Sequence, residues 1–429
     1  MDMINDLGDD VLGHIISFLP VREGAFTCLL SKRWRYLFAF PTNLRLDYDD
    51  EVFGGRGDDF VVFADRALAL SGDFPTREIS IKCRKIIDSD HVTGWIAKSL
   101  RRGLLKLDID VIGGFDNVVP LEIFFTCKNL VELKLAKAFR AILPGDVSFP
   151  SLKKLYLDSV CFMNTGLCVL GKLLSACPVL EDLTVLEGKR RSQGSASCLN
   201  VTSSTLKKLT IKCAQDSRDM TLDTPNLVYL EYNGDVKRNY PTVSLESLVE
   251  AKLDLNFSFG YPKNLMEGLR NVEVLELSCA GTWKIFRYCP EAIPVFSNLI
   301  RLSINTQVPR YYYENHWEYL PILVKKSPNL ETLVIKGPLN VDEREQLGDR
   351  DYGLACPVKV LKVTEYGGKT GELVKMRHFL KKLSCLELVE VLAYAVNDKE
   401  KSRITQDLLM VPRPSNCIIQ IMFCEKAIP

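Results

Sequence analysis

Leucine and its aliphatic substitutes recur in a fixed pattern through the middle of this chain. Leu-x-x-Leu-x-Leu is met at Leu104/Leu107/Ile109, Leu130/Leu133/Leu135, Leu152/Leu155/Leu157 and Leu180/Leu183/Val185. It continues through Leu206/Leu209/Ile211, Leu227/Leu230/Tyr232, Leu248/Ala251/Leu253, Val272/Leu275/Leu277, Leu299/Leu302/Ile304, Leu330/Leu333/Ile335 and Val358/Leu361/Val363. Successive motifs start 21 to 31 residues apart, the scale of an array of small supersecondary units. The last two apolar positions alternate with mostly polar ones, which predicts a short strand with one buried face. Thr76/Ile79/Ile81 reads as an earlier, weaker repeat, and Asn43-Leu-Arg-Leu as a candidate start of the array. Proline stands just ahead of several strands, in Phe149-Pro-Ser-Leu, Cys177-Pro-Val-Leu, Thr224-Pro-Asn-Leu and Ser327-Pro-Asn-Leu, where it removes no ladder donor. The expected fold class is α/β: a curved parallel sheet stacked as a solenoid, each repeat touching only its neighbours.

The N-terminus follows a different rule. Asp6, Asp9 and Asp10 precede Val11, Leu12, Ile15, Ile16 and Leu19 at helical spacing, and Pro20 stops the pattern. A second helical stretch carries Ala25, Phe26, Leu29, Leu30, Trp34 and Leu37. So short a segment cannot bury this much apolar surface alone, so it must lean on the rest of the chain or on another protein.

Composition narrows the class. The chain has 429 residues, 47% hydrophobic and 25% charged, with a formal net charge of +1. That balance removes the simplest argument for a nucleic-acid or membrane-surface partner. No apolar signal region precedes the acidic start, and no apolar run is long enough to span a bilayer. The expected location is the nucleus, the cytoplasm or both. Fourteen cysteines form no Cys-x-x-Cys, and His14, His91, His316 and His378 are scattered singly, so no zinc pattern exists. Cys127, Cys177 and Cys289 stand where a repeat would bury them.

Binding chemistry is sought first on the positions that point outward between the leucines. Lys154, Tyr156, Lys208, Lys212, Tyr229, Glu231, Lys252, Glu276 and Arg301 are the candidates for holding a protein target. Both charge signs are interspersed, which suits protein recognition better than a phosphate backbone. The plain alternative is a solvated face. Tyr311-Tyr-Tyr-Glu-Asn-His-Trp-Glu-Tyr319, in an insertion, offers aromatic anchors or packs beneath its own loop. Lys189-Arg190-Arg191 is a basic cluster for nuclear import or an acidic partner, or is simply solvated. Gly367-Gly-Lys-Thr-Gly371 has the strand-then-helix context of a phosphate loop. It lacks the required earlier glycine, position 363 being Val. No nucleophile and base spacing is present, so no catalytic residue and no cofactor are expected.

The N-terminal residues resemble an F-box, through Asn-Asp-Leu-x-Asp-Asp-x-Leu-x-x-Ile-x-Ser-Phe-Leu-Pro from Asn5 to Pro20 and Leu-Ser-Lys-Arg-Trp-Arg from Leu30 to Arg35. Gly8 departs from the family's usual proline. The resemblance implies that Leu7, Leu12, Ile15, Leu19, Pro20 and Trp34 contact a Skp-type adaptor. Residues from Cys356 onward leave the repeat and resemble the FBD module of plant F-box proteins with leucine-rich repeats, an α+β cap over the last repeat. The implied organisation is an F-box over 1–45, a leucine-rich-repeat solenoid over 46–355 and the FBD over 356–429. The implied function is a substrate receptor of a Skp–cullin–F-box ubiquitin ligase, which joins cullin and RING subunits through the adaptor. A ligase-independent repeat scaffold is the alternative.

Overall fold

The computed structural model describes residues 3–19, 21–37, 43–48, 53, 57–70, 76–113, 127–136, 140–141, 143, 147–162, 169–186, 199–213, 219–257, 260–306, 319–339 and 356–424. The chain forms two compact units, Met1–Ala214 and Gln215–Pro429.

In the first unit the repeat motif builds seven neighbouring parallel strands: Asn43–Asp47, Glu78–Ile87, Lys106–Gly113, Glu132–Ala136, Lys154–Asp158, Asp182–Leu186 and Lys208–Cys213. In the second it builds eight: Tyr229–Asp235, Glu250–Asn256, Val274–Ser278, Arg301–Asn305, Thr332–Pro338, Val360–Tyr366, Leu388–Tyr394 and Ile418–Cys424. Register follows the motif. Leu133 stands beside Leu155, Leu155 beside Leu183, and Leu183 beside Leu209. In the second unit Ala251, Leu275, Leu302, Leu333, Leu361 and Val389 form the matching row. These residues are buried, and each fully buried leucine contributes about 1.5–3 kcal/mol.

Two backbone devices repeat with the motif. The proline phrases close one turn of the same kind each time. Leu152 N donates to Phe149 O, Leu180 N to Cys177 O, Leu227 N to Thr224 O and Leu330 N to Ser327 O, at 3.1–3.3 Å. Proline occupies the second turn position, where its fixed φ is already correct. At the start of most of these strands one carbonyl oxygen then accepts two successive amides. Val131 O takes Lys153 N (2.8 Å) and Lys154 N (3.0 Å), and Glu273 O takes Ile300 N (2.9 Å) and Arg301 N (3.0 Å).

Three expectations are corrected. The array begins at Asn43, so a boundary at residue 45 would cut its first strand. The second N-terminal helix is two helices, Val21–Thr27 and Lys32–Leu37, the latter starting where Ser31 Oγ accepts from Trp34 N. The C-terminal segment does not leave the repeat. Leu386/Val389/Val391 is a further motif, and Leu388–Tyr394 and Ile418–Cys424 continue the parallel pairing in register. Helices Thr370–Lys382 and Asp398–Leu409 are the crossovers between these strands. The segment adds repeats where an α+β cap was expected, because parallel neighbours need such crossovers and antiparallel ones do not.

Candidate functional site

Two surfaces of different chemistry carry the candidate residues. The first is the N-terminal helical unit, with helix Asp9–Ser17 and the two helices after it. Gly8 caps the first helix, its carbonyl accepting from Val11 N and Leu12 N at 3.1 Å. Its φ of −64° is the value a proline would impose, so glycine keeps the backbone that the family's proline presets. Arg33 ties the third helix to this cap: Nε donates to Asp9 Oδ1 (2.8 Å) and Nη2 to Leu7 O (2.6 Å).

The unit's apolar side chains divide in two. Leu12 and Trp34, expected in an adaptor interface, are buried within the chain with Ile16 and Leu37. They hold the helices together and have no surface left to offer. Leu7 and Ile15 do face solvent, and Leu19 is half-buried. Pro20 lies outside the described residues. Sequence reasoning missed the larger part of the exposed set. Ile4, Val11, Phe18, Phe26, Leu29 and Leu30 join Leu7 and Ile15 at 37–78% exposure. Val11, Ile15 and Phe18 recur along one face of the first helix, and exposed apolar groups gathered on one face mark an interaction site in a folded protein.

The second surface is the row of outward strand positions. In the first unit the row runs Glu78, Lys106, Glu132, Lys154, Asp182, Lys208 on adjacent strands, its signs alternating strictly. Glu132 takes Lys106 at 3.4 Å and Lys154 at 3.1 Å, and Lys208 approaches Asp182 at 4.0 Å. Partial burial alone would raise the Glu132 carboxyl. The hydrogen bond from Lys154 and the charge of Lys106 outweigh it and hold the group below the usual carboxylate range. Tyr156 stands in the next row, with the Lys134 ammonium 5.1 Å from its ring centroid, and burial raises its phenol. Lys212 is exposed at the far end of its strand.

In the second unit Glu231, Lys252 and Glu276 are consecutive across three strands. Tyr229 donates its hydroxyl to Glu231 (3.2 Å) and lies 5.3 Å from the Lys252 ammonium. Glu276 binds Lys336 at 2.6 Å, and Arg301 points out exposed beside Val274. The nine candidates are therefore outward, as expected. Lys154, Tyr156, Lys208 and Lys212 belong to the first unit, and Tyr229, Glu231, Lys252, Glu276 and Arg301 to the second. Most are already engaged by a neighbouring strand.

Sequence reasoning missed the outward positions of the last strands. Val360, Leu388 and Ile418 are adjacent there, as are Leu392 and Met422, with one ion pair between Lys362 and Glu390 at 2.6 Å. The signal was present: apolar letters stand where earlier repeats carry charge.

The Gly367–Gly371 loop is used internally. Glu372 Oε2 accepts from Gly367 N and Lys369 N, both at 3.0 Å, so the chain's own carboxylate occupies the amides a phosphate would need. Burial raises the Glu372 carboxyl, and these amide bonds pull it back. Gly368 has φ +68°, and a Cβ there would meet Ile404, so glycine is needed for close packing against helix Asp398–Leu409. Cys127, Cys177 and Cys289 are buried packing residues, burial pushing the Cys177 thiol up to about 12. Lys189–Arg191 and residues 311–318 lie outside the described residues.

An α/β array of leucine-rich repeats behind a small helical unit with an apolar exposed face is the class that fold and site define. Comparison with known proteins agrees. The model of "FBD-associated F-box protein At5g56370, LRR repeats" matches residues 92–246. The chain is 40% identical to "F-box/LRR-repeat protein At3g58980" of Arabidopsis thaliana, over 97% of this chain and 73% of that protein. It is 38% identical to "Putative F-box/LRR-repeat protein At3g58920" of the same plant, over 99% of this chain and 100% of the relative. The chain belongs to the F-box/LRR-repeat protein family.

Proposed function

We propose that this protein is the substrate-recognition subunit of a Skp–cullin–F-box ubiquitin ligase, working in the nucleus, the cytoplasm or both. The observation that carries the reading is the exposed apolar set on the N-terminal helices. It is too hydrophobic for a solvated cap and is held in place by the Leu12 and Trp34 core and the Arg33 bridge. Leu7, Ile15, Phe26, Leu29 and Leu30 dock on a Skp-type adaptor, and through it on cullin and RING subunits. The outward strand faces hold a target protein. The receptor supplies no catalytic group. It raises the effective concentration of target lysines at a conjugating enzyme bound elsewhere in the assembly.

Leu7→Asp and Ile15→Asp test this reading, because both positions are exposed and the variants keep the helical core. Each is expected to lose adaptor co-purification while circular dichroism of the full chain is unchanged, since a carboxylate buried in an apolar interface is costly. Retained adaptor binding in both variants, with the fold intact, would show that this face is not the docking surface.

A further inference from the structure

The last strand, Ile418–Cys424, is the terminal one in the pairing order, and no described residue pairs with its outer side. A free edge of this length is a hazard that folded proteins blunt with charge, proline, a bulge or a covering element. The first strand does so: Asn43–Asp47 carries Arg45 and Asp47 and is contacted by helix Val21–Thr27. Helix Asp398–Leu409 contacts Ile418–Cys424, yet among the described residues nothing pairs with the outer side of this strand. Its sequence, Ile-Ile-Gln-Ile-Met-Phe-Cys, has no charge and no proline, and its register with Leu388–Tyr394 is unbroken. Ile418 and Met422 are 61% and 54% exposed. Ile419, Ile421 and Phe423, on the face buried in the preceding strands, are only half-buried here.

The neighbouring helix also has one flank engaged and one exposed. Arg403 of helix Asp398–Leu409 donates to Gly368 O, and Ile404 packs on Gly368, so that flank faces the preceding repeat. The open face of this helix carries Lys401, Thr405, Leu409 and Met410, Met410 being 78% exposed. Lys401 on that face is paired with Asp398 at 3.2 Å.

We propose that Ile418–Cys424 is the seam of a dimer between two copies of this chain. Ile418 N donates to Glu387 O, so positions 418, 420, 422 and 424 spend their backbone groups on the preceding strand. Those of 419, 421 and 423 point to the open edge. A two-fold axis normal to the sheet at Ile421 brings the strands together antiparallel. It sets Ile421 opposite its own copy and Ile419 opposite Phe423, each pair exchanging two backbone bonds. This register pairs every residue of the strand. The same axis keeps both Asp398–Leu409 helices on one side of the joined sheet. Charge selects this occupant. An uncharged edge mates with its copy without opposing like charges, whereas a charged strand would bury its charge against isoleucine and methionine. The dimer would make the receptor bivalent, so that two weak target contacts act as one stronger one.

Sedimentation velocity of the full chain over a wide concentration range tests the seam. The parent is expected to move from the mass of one chain to twice that mass as concentration rises. The double variant Gln420→Lys with Met422→Lys faces solvent in the single chain but sets lysine opposite lysine across the axis. It should remain at the mass of one chain with an unchanged thermal melt. Ile421→Pro removes an edge donor without touching the bonds to Leu388–Tyr394 and should also stay single. A parent that never exceeds one chain overturns the proposal. So does a parent dimer that both variants preserve, which would place the contact elsewhere, for instance on the exposed N-terminal helices.

Discussion

The outward faces of the first and last strands are built on one backbone and carry opposite chemistry. In the first unit Glu132 lies between Lys106 and Lys154, and Asp182 approaches Lys208. Those charges neutralise one another across strands and act as cross-strand pairs, each contributing roughly 0.2–1 kcal/mol to strand alignment. On the last strands Val360, Leu388 and Ile418 stand in the equivalent row with no charge among them. A pre-paired charge must break its partner before it can bind anything else, and an exposed isoleucine has only water to lose. A face of paired charges is suited to selecting and steering a partner, and an apolar face to supplying binding energy. Counting charged residues on a repeat face overstates what they contribute to affinity.

The widest test asks whether the two units differ only on their outward faces. Leu155→Ala and Leu275→Ala remove inward positions, one from each, and both should destabilise by about 2–5 kcal/mol in chemical denaturation. Lys154→Ala should cost no more than about 0.5 kcal/mol. Equal costs for Leu155 and Lys154 would mean that the strand register of the first unit is wrong.

A smaller effect is expected in target capture. Leu388→Asp should weaken it about tenfold, near 1.4 kcal/mol, and Lys154→Ala by much less. The contrast drawn above fails if the lysine variant loses more than the leucine variant.

The smallest effect concerns the charges themselves. A double-mutant cycle between Glu132 and Lys154 should give a coupling of about 0.2–1 kcal/mol that fades in high salt. Because the folded Glu132 carboxyl lies below its unfolded value of about 4.3, its contribution is complete above that value. It is lost as pH falls through the folded value. Glu132→Gln should therefore flatten the acid limb of the stability profile and leave the alkaline limb unchanged.

Much of this was legible in the sequence because the motif writes it down. Leu133, Leu155 and Leu183 are inward because period-two alternation admits only one buried face once the core is chosen. The periodicity of Leu12, Ile15 and Trp34 identifies a helical apolar set but not what covers it. Burial of Leu12 and Trp34 with exposure of Leu7 and Ile15 depends on how three short helices pack. The break between Thr27 and Lys32 was hidden because Leu29 and Leu30 keep the apolar rhythm through it. At Ile418–Cys424 the motif loses its leading leucine: Cys417 stands two residues before the inward Ile419, where Leu386 stands three before Val389. The strand itself is legible in Cys417–Phe423, but that one-residue contraction hid its place in the parallel array. The carboxylate that fills the Gly367–Gly371 loop belongs to Glu372, one residue past the motif in the first turn of the next helix, where a glycine pattern does not look.

The doubly accepting carbonyl at most strand starts separates alphabet from spacing. Each such strand takes its alignment from the oxygen of the strand before it, so the return segments, whose lengths set the 21 to 31 residue interval between motifs, have no say in which letters share a row. Residues can be gained or lost on the return path without shifting the outward columns. Substitutions in those columns, in turn, leave the copying contact untouched. A chain built this way can change its outward columns one letter at a time while its frame is inherited unchanged.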